Sequence, residues 1–387
     1  MTIDLCVRIP DSLTISTYPL ATSVIDHGAI ARNLERVRAA SGADVMAVVK
    51  ADAFGHGSVE VARTALAAGA TWLGVATVDE ALALRAAGIA APIFAWIVDP
   101  WVDLGAAIRA GITLSCANAE TLLAIRQAAM TAGTRADIHL EVDTGMARGG
   151  STEELFDRLC TIAARAERVD YVRVTGVWSH LALAALPGQA SVDGALAIFR
   201  RAVATARAAS LHPRTLHIAN SAAALAHPET ALTLVRTGAA LYGIETVESR
   251  DFALEPALRL TSRVTQLREV AAGTGVGYLH RFRTTDATTL ALVPLGYGDG
   301  VPRALSALGS VTINGERCPI RGAISMDQLV VEVPVSVRLG DEVVLLGSAS
   351  RDEPTAAEWA NLTGTIAHEI LTGLGPRITR THARGAA

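Results

Sequence analysis

Between residues 21 and 245 one pattern recurs eight times, and that recurrence limits the possible folds more than any other feature of the chain. Short β-branched runs alternate with alanine-rich segments of helical length. "VMAVVK" leads into "SVEVARTALAAG", "WLGVAT" leads into "VDEALALRAAG", and "PIFAW" comes next. "ITLSC" then precedes "NAETLLAIRQAAMTAG", "DIHLEVD" precedes "TEELFDRLCTIAARAE", and "VRVTGVWS" precedes "VDGALAIFRRAVATARAAS". "TLHIA" precedes "SAAALAH", and "LTLVRTGAALYG" closes the series. Eight strands alternating with helices predict an α/β fold, a closed (β/α)8 TIM-type barrel; a doubly wound open sheet satisfies the same alternation. Past residue 246 the runs are short, punctuated by glycine and asparagine, and almost free of helical pattern. They predict a mainly antiparallel β domain over 246–387, with one late helix within "TAAEWANLTGTIAHEILTGL". Residues 1–20 have weak periodicity and read as an N-terminal arm associated with that β domain.

Charge and cysteine content narrow the partners. A formal net charge of −4 over 387 residues, with no long basic run, gives no groove for nucleic acid and no polybasic membrane patch. The start, "MTIDLCVRIPDSLT", lacks the basic and apolar regions of a secretory signal, and "APIFAWIVDPWVDLG" is broken by proline and aspartate well short of a bilayer span. Cys6, Cys116, Cys160 and Cys318 are far apart and show no CxxC spacing, which argues against structural disulfides and a zinc site. The expectation is a cytoplasmic protein with no bound metal.

Reactive groups in a barrel collect at the carboxyl ends of its strands. Here those ends carry Lys50, Glu141 with Asp143, His180, His217 with Asn220 and Ser221, and Arg236. A lysine in partly apolar surroundings can lose its proton and attack a carbonyl to give a Schiff base; a lysine at a barrel mouth can also simply lay its stem along apolar surface. The glycines after Lys50 leave room for a planar ligand. Loops after the last two strands, "ANSAAAL" and "RTGAALYG", are where such barrels hold phosphate, although Ser221 there can equally cap a helix. An imine-forming lysine with a phosphate cradle points to pyridoxal phosphate, with Arg236 placed for its ring nitrogen.

The stretch "AVVKADAFGHG" resembles the cofactor-lysine motif of alanine racemases, a pyridoxal-phosphate family built from a barrel and a β domain. "VDTGMARGG", "WSHLA", "HIANSAAAL", "LVRTGAALYG", "VGYLHRF", "LGYGDGVPR", "SMDQLVVEV" and "GTIAHEIL" continue the resemblance, in order, through nearly the whole chain. It implies an amino-acid racemase, acting on alanine or on serine or another small amino acid, that works as a homodimer with shared active sites. Lys50 would hold the cofactor and act as one acid/base. Tyr278 would act on the opposite face, reaching in from the partner's β domain. The resemblance gives Arg236 to the pyridine nitrogen, Ser221 and the Gly238–Ala239 backbone to the phosphate, and Arg148 to the substrate carboxylate. Met326 and Tyr297 would line the entrance, with His180, His217 and His368 near the cofactor. Two opposed groups suit racemisation, which takes a proton from one face of Cα and returns it to the other. An arginine on the ring nitrogen would weaken the electron sink and limit stray reprotonation, because a guanidinium does not give up its proton.

This sequence departs from the family at several positions. Phe54 and His368 stand where phosphate-binding tyrosines are usual, and Ser325 replaces a common cysteine. "SHLALAALPGQAS" lacks the usual acidic residue. Glu141 replaces a lysine that is often carbamylated, and is expected to orient Arg148 directly or through water. Two more distant readings are a barrel-type decarboxylase and a non-enzymatic carrier of the cofactor. The first would need a glycine-rich phosphate loop and a cysteine motif that are not evident, and the second would have no β domain.

Overall fold

A strand buried on both faces sends alternate side chains to opposite sides, and the first barrel strand, Asp44–Val48, does so in the computed structural model of the protein. Val45 and Ala47 join the large core shared with the helices, whereas Met46 points inward to a small cluster with Phe94, Trp178 and Leu234. The structure describes residues 19–99, 101–186, 190–247 and 250–383, so most of the expected 1–20 arm, Cys6 included, lies outside the described residues.

All eight expected barrel strands form. They are Asp44–Val48, Trp72–Thr77, Ile93–Ile97, Ile112–Cys116, Ala136–Glu141, Val172–Trp178, Thr215–His217 and Leu234–Thr237. Neighbours pair in parallel in sequence order, and the eighth pairs with the first. Between the seventh and eighth, Thr233 N–H donates to Leu216 O at 3.3 Å and Arg236 N–H to Ala219 O at 3.0 Å, closing the ring. The open-sheet alternative is thereby removed. Two glycines make room inside: a Cβ on Gly74 would sit 2.8 Å from Met46 Sδ, and one on Gly176 would sit 2.6 Å from His139 Cδ2. The helices between strands are punctuated by ordinary chemistry. Asn118 caps Ala119–Ala132 by accepting from Thr121 N–H, and Gly133, at φ 66°, ends it.

The second sheet has nine strands, in the order Gln266–Val270, Thr288–Val293, Leu329–Val333, Glu316–Arg321, Ser310–Ile313, Glu342–Leu346, Leu258–Arg263, Ala21–Asp26 and Thr379–Ala383. Every pairing is antiparallel except the last, in which Ala21–Asp26 and Thr379–Ala383 run parallel. Two expectations change here. Ala21–Asp26 falls in the stretch assigned to the barrel, yet it pairs with Leu258–Arg263 and so belongs to this sheet. The single late helix is two, Ala356–Thr363 and Ala367–Thr372, because Gly364 takes φ 71° and ends the first.

Cys116, Cys160 and Cys318 are buried free thiols, and burial pushes the first two up to about 12. Among the described residues no helix is long and apolar enough to cross a membrane.

Candidate active site

Lys50 leaves the first strand into a turn of the wrong hand. Ala51, Asp52, Ala53 and Phe54 all have φ between 50° and 55°, a left-handed turn made without glycine. Such a conformation costs roughly 1–2 kcal/mol per residue, so the surroundings must hold it. Asp52 Oδ1 accepts from Ser58 N–H at 2.8 Å, and Arg380, from the other sheet, pairs with Asp52 Oδ2 at 2.9 Å and donates to Gly55 O at 3.0 Å. Gly55 has no room for a Cβ, which would lie 2.6 Å from Leu371 O. The turn leaves the Lys50 amine half-buried, 5.6 Å from the centre of the Trp96 ring. Burial lowers its pKa first and the charge of Arg148 second, while Glu80 opposes them.

Arg236 lies buried at the end of the eighth strand, over the face of Trp178 at 5.1 Å. One guanidinium nitrogen, Nη2, donates to Ser179 O at 2.8 Å and to His180 Nδ1 at 3.1 Å; the other, Nη1, donates to His217 Nδ1 at 3.1 Å. A guanidinium only donates, so both imidazoles must accept through Nδ1. His217 Nε2 therefore carries the proton and donates to His139 Nδ1 at 2.9 Å, which leaves His139 Nε2 a buried donor with no partner. Burial drives His180 and His139 to about 3, with Arg236 adding to it, so both rings are neutral. His217 is pushed well below its ordinary value by burial, His139 and Arg236. Burial lowers Arg236 to about 9, against the pull of Glu141, and it remains a cation at neutral pH.

Glu141 ends the fifth strand, where burial raises its carboxyl to about 7 against the attraction of Arg236 and Arg148. Ser115 Oγ donates to it at 3.5 Å and receives the Trp178 indole N–H at 2.9 Å, so the carboxyl is tied to the ring beneath Arg236. Asp143 shapes the loop that carries Arg148: its carboxylate accepts from the N–H groups of Gly145, Met146 and Ala147. Arg148 itself is exposed at the mouth.

The two last strand exits also meet. Asn220, not Ser221, caps the helix Ser221–Ala226 by accepting from Ala223 N–H. That corrects the capping alternative for Ser221, whose hydroxyl instead accepts the N–H groups of Gly238 at 3.1 Å and Ala240 at 3.3 Å. Ala239 is buried in the same turn. A Cβ on Gly238 would fall 2.9 Å from the Phe54 ring. Phe54 lies 4.7 Å from Tyr242 and 5.6 Å from His368, centre to centre, and His368 Nδ1 is buried without a partner.

Tyr278 opens a 3-10 turn between the paired strands Gly275–Val276 and Phe282–Arg283, and Tyr297 and Met326 lie on loops between strands of the nine-stranded sheet. They are 68%, 41% and 54% exposed, and Leu279 beside them reaches 82%. Loops 296–300 and 325–326 are stitched together, Tyr297 N–H donating to Ser325 O at 3.1 Å and Gly298 N–H to Met326 O at 2.8 Å. Of the expected set, Lys50, Arg236, His180, His217, Glu141 and the Ser221–Gly238 cradle gather at one end of the barrel, with His368 packed on Phe54. Sequence reasoning passed over His139, Trp178, Ser115 and Glu80. The first two are residues of the same strands that point inward, and Glu80 stands in a readable helix-start pattern, "TVDE".

The chain matches the model of the alanine racemase N-terminal domain over residues 25–246 and that of the C-terminal domain over 257–382. It is 45% identical over 362 residues to the alanine racemase of Salinispora arenicola, covering 92% of this chain and 97% of that one. The alanine racemase from D-cycloserine-producing Streptomyces lavendulae superposes with a TM-score of 0.92 at 41% identity, over 96% of this chain and 99% of the other. A Bartonella henselae alanine racemase with covalently bound pyridoxal phosphate superposes at 0.85 with 30% identity, over 95% of this chain and all of that one, 100%. Two family models in sequence order, and relatives matched over nearly their whole length, lead to one conclusion: this chain belongs to the alanine racemase family.

Proposed function

We propose that this protein interconverts L- and D-alanine with pyridoxal phosphate held on Lys50, and that it works in the cytoplasm as a homodimer whose partner supplies Tyr278. The observation that carries this reading is the Lys50 amine, half-buried with a lowered pKa at the barrel mouth that also holds a buried guanidinium and a hydroxyl–amide cradle. The donor set fits the cofactor: an amine for its aldehyde, a permanent donor for its ring nitrogen, and Ser221 with the Gly238–Ala239 backbone for its phosphate. Only glycine at 238 lets that backbone pass the Phe54 ring. When bound, the cofactor supplies an electron sink for the charge left when Cα loses its proton.

The protein's own groups do the rest. The barrel supplies the cofactor side and the β domain that carries Tyr278 the opposing phenol. Lys50 Nζ, its pKa lowered by burial, takes or gives the proton on one face, and the partner's Tyr278 hydroxyl does so on the other. Arg148 meets the substrate carboxylate. Glu141 steadies the Arg148 side of the pocket, and Tyr297 and Met326 border the entrance beside Tyr278. Neutral His180 and His217 hold Arg236 in place without competing for its charge. The pairing of Phe54 with His368 removes two phenols and leaves an unpartnered imidazole nitrogen, which favours serine as a second substrate with a hydroxyl to offer.

A chiral product assay on L- and D-alanine and L- and D-serine, with borohydride trapping of the cofactor, tests this reading. Racemised alanine and a label on Lys50 are expected. A colourless protein with no label at Lys50 would overturn the assignment.

A further inference from the structure

The left-handed turn after Lys50 needs a holder at its first peptide, and Glu80 occupies that place. Glu80 lies half-buried in the first turn of helix Val78–Ala86, between the exits of the first two barrel strands. Its Oε2 accepts the backbone N–H groups of Ala76 at 2.8 Å and Thr77 at 3.1 Å, while Thr77 Oγ1 accepts Glu80 N–H at 3.2 Å. That is a capping box, and it uses one oxygen only. The other, Oε1, leaves the helix and accepts Ala51 N–H at 2.7 Å. Asp52 and Arg380 brace the later part of the turn, and Glu80 takes the peptide N–H that directly follows Lys50. Hydrogen bonds to a carboxylate are about twice as strong as neutral ones, which suits a strained segment.

We propose that Glu80 is a positioning residue for Lys50: through Oε1 it pins the Lys50–Ala51 peptide to the second strand's exit and holds the turn that sets the amine over Trp96. The role given to Lys50 rests on the function proposed above; the pinning does not.

Glu80→Gln separates the two oxygens. An amide keeps one carbonyl, which satisfies the paired N–H groups of Ala76 and Thr77, and turns its NH2 toward the Ala51 N–H, donor against donor. In the full-length protein, amide hydrogen exchange across residues 50–57 is expected to quicken about tenfold, with or without added pyridoxal phosphate. In the loaded enzyme kcat falls roughly tenfold while KM stays within about twofold, because the lysine and not the carboxylate grip has shifted. Thr77→Ala is the control. It weakens the cap and lowers Tm but leaves exchange at 50–57 and kcat as in the parent. Unchanged exchange or unchanged kcat in Glu80→Gln overturns the proposal, as does a Thr77→Ala protein that reproduces the Glu80→Gln changes. Absence of racemisation and of a Lys50 label in the parent would remove the functional reading alone, since the exchange measurement still decides whether Glu80 pins the turn.

Discussion

The barrel mouth and the Tyr278 face of the β domain are finished to different degrees. Around Arg236, every guanidinium contact is to a buried or half-buried group of the same chain, and the neighbouring imidazoles have their tautomers dictated by it. Around Tyr278, two tyrosines, a leucine and a methionine lie open. In the site proposed above, the first half is assembled by folding, and the second presents apolar surface of the kind that a second subunit covers. Damage to the first half should therefore reach both stability and catalysis, and damage to the second should reach catalysis alone.

The largest expected effect tests that split directly. Lys50→Ala and Tyr278→Phe should each lose activity by about 10³-fold, with little change in Tm for Tyr278→Phe. Mixing the two under subunit exchange should restore about a quarter of parental turnover, since half the dimers are mixed and each holds one intact site. No recovery after verified exchange would place both groups within one subunit's reach and erase the contrast.

Arg236→Ala should cost about 3 kcal/mol or more in a denaturant titration, because it strands Ser179 O and two imidazole acceptors in the interior. An Arg236→Ala protein as stable as its parent would mean that the barrel side is no more committed than the open face.

Glu141→Gln sharpens the comparison through pH. The carboxyl sits at about 7 in the fold against an ordinary 4.5. A raised folded value means that its contribution is intact in acid and is lost as pH climbs through that interval, an effect of about 3 kcal/mol. The amide has no such loss, so Glu141→Gln should be more stable than the parent at pH 8 and no more stable at pH 4, read from paired thermal melts. Its turnover should fall roughly tenfold if the charge steadies Arg148. Turnover that matches the parent at several pH values would remove that role.

The smallest effect concerns the strained turn. Ala51→Gly relieves one left-handed alanine and should raise stability by up to ~1 kcal/mol. A decrease would show that the side chain's contacts outweigh the strain.

Much of this was legible in the chain because short β-branched runs alternating with helical segments mark barrel strands wherever they fall. Lys50, Glu141, His180, His217 and Arg236 follow from strand ends. The rest is hidden for physical reasons. Ala21–Asp26 is a short run just ahead of a helix, as a barrel strand is, and its antiparallel pairing with Leu258–Arg263 assigns it elsewhere. Thr379–Ala383 is mostly exposed and polar, so it lacks the apolar signal of an interior strand. Nothing in "ADAF" announces four left-handed residues, because that conformation is held by Glu80 and Arg380 from outside the segment, with Asp52 bonded to Ser58 and Arg380 beyond it. His139 reads as one more polar residue in a strand until Gly176 across from it is seen to clear its space.

Arg380 grips Gly55 across 325 residues of sequence. Translation delivers the lysine and its Glu80 pin early and the Arg380 brace late, so a nascent barrel carries a half-braced turn until the residues around 380 have emerged. Cofactor capture then becomes a checkpoint on completeness: chains cut short before the Thr379–Ala383 strand would hold every group of the barrel mouth and still lack the clasp that sets its first loop.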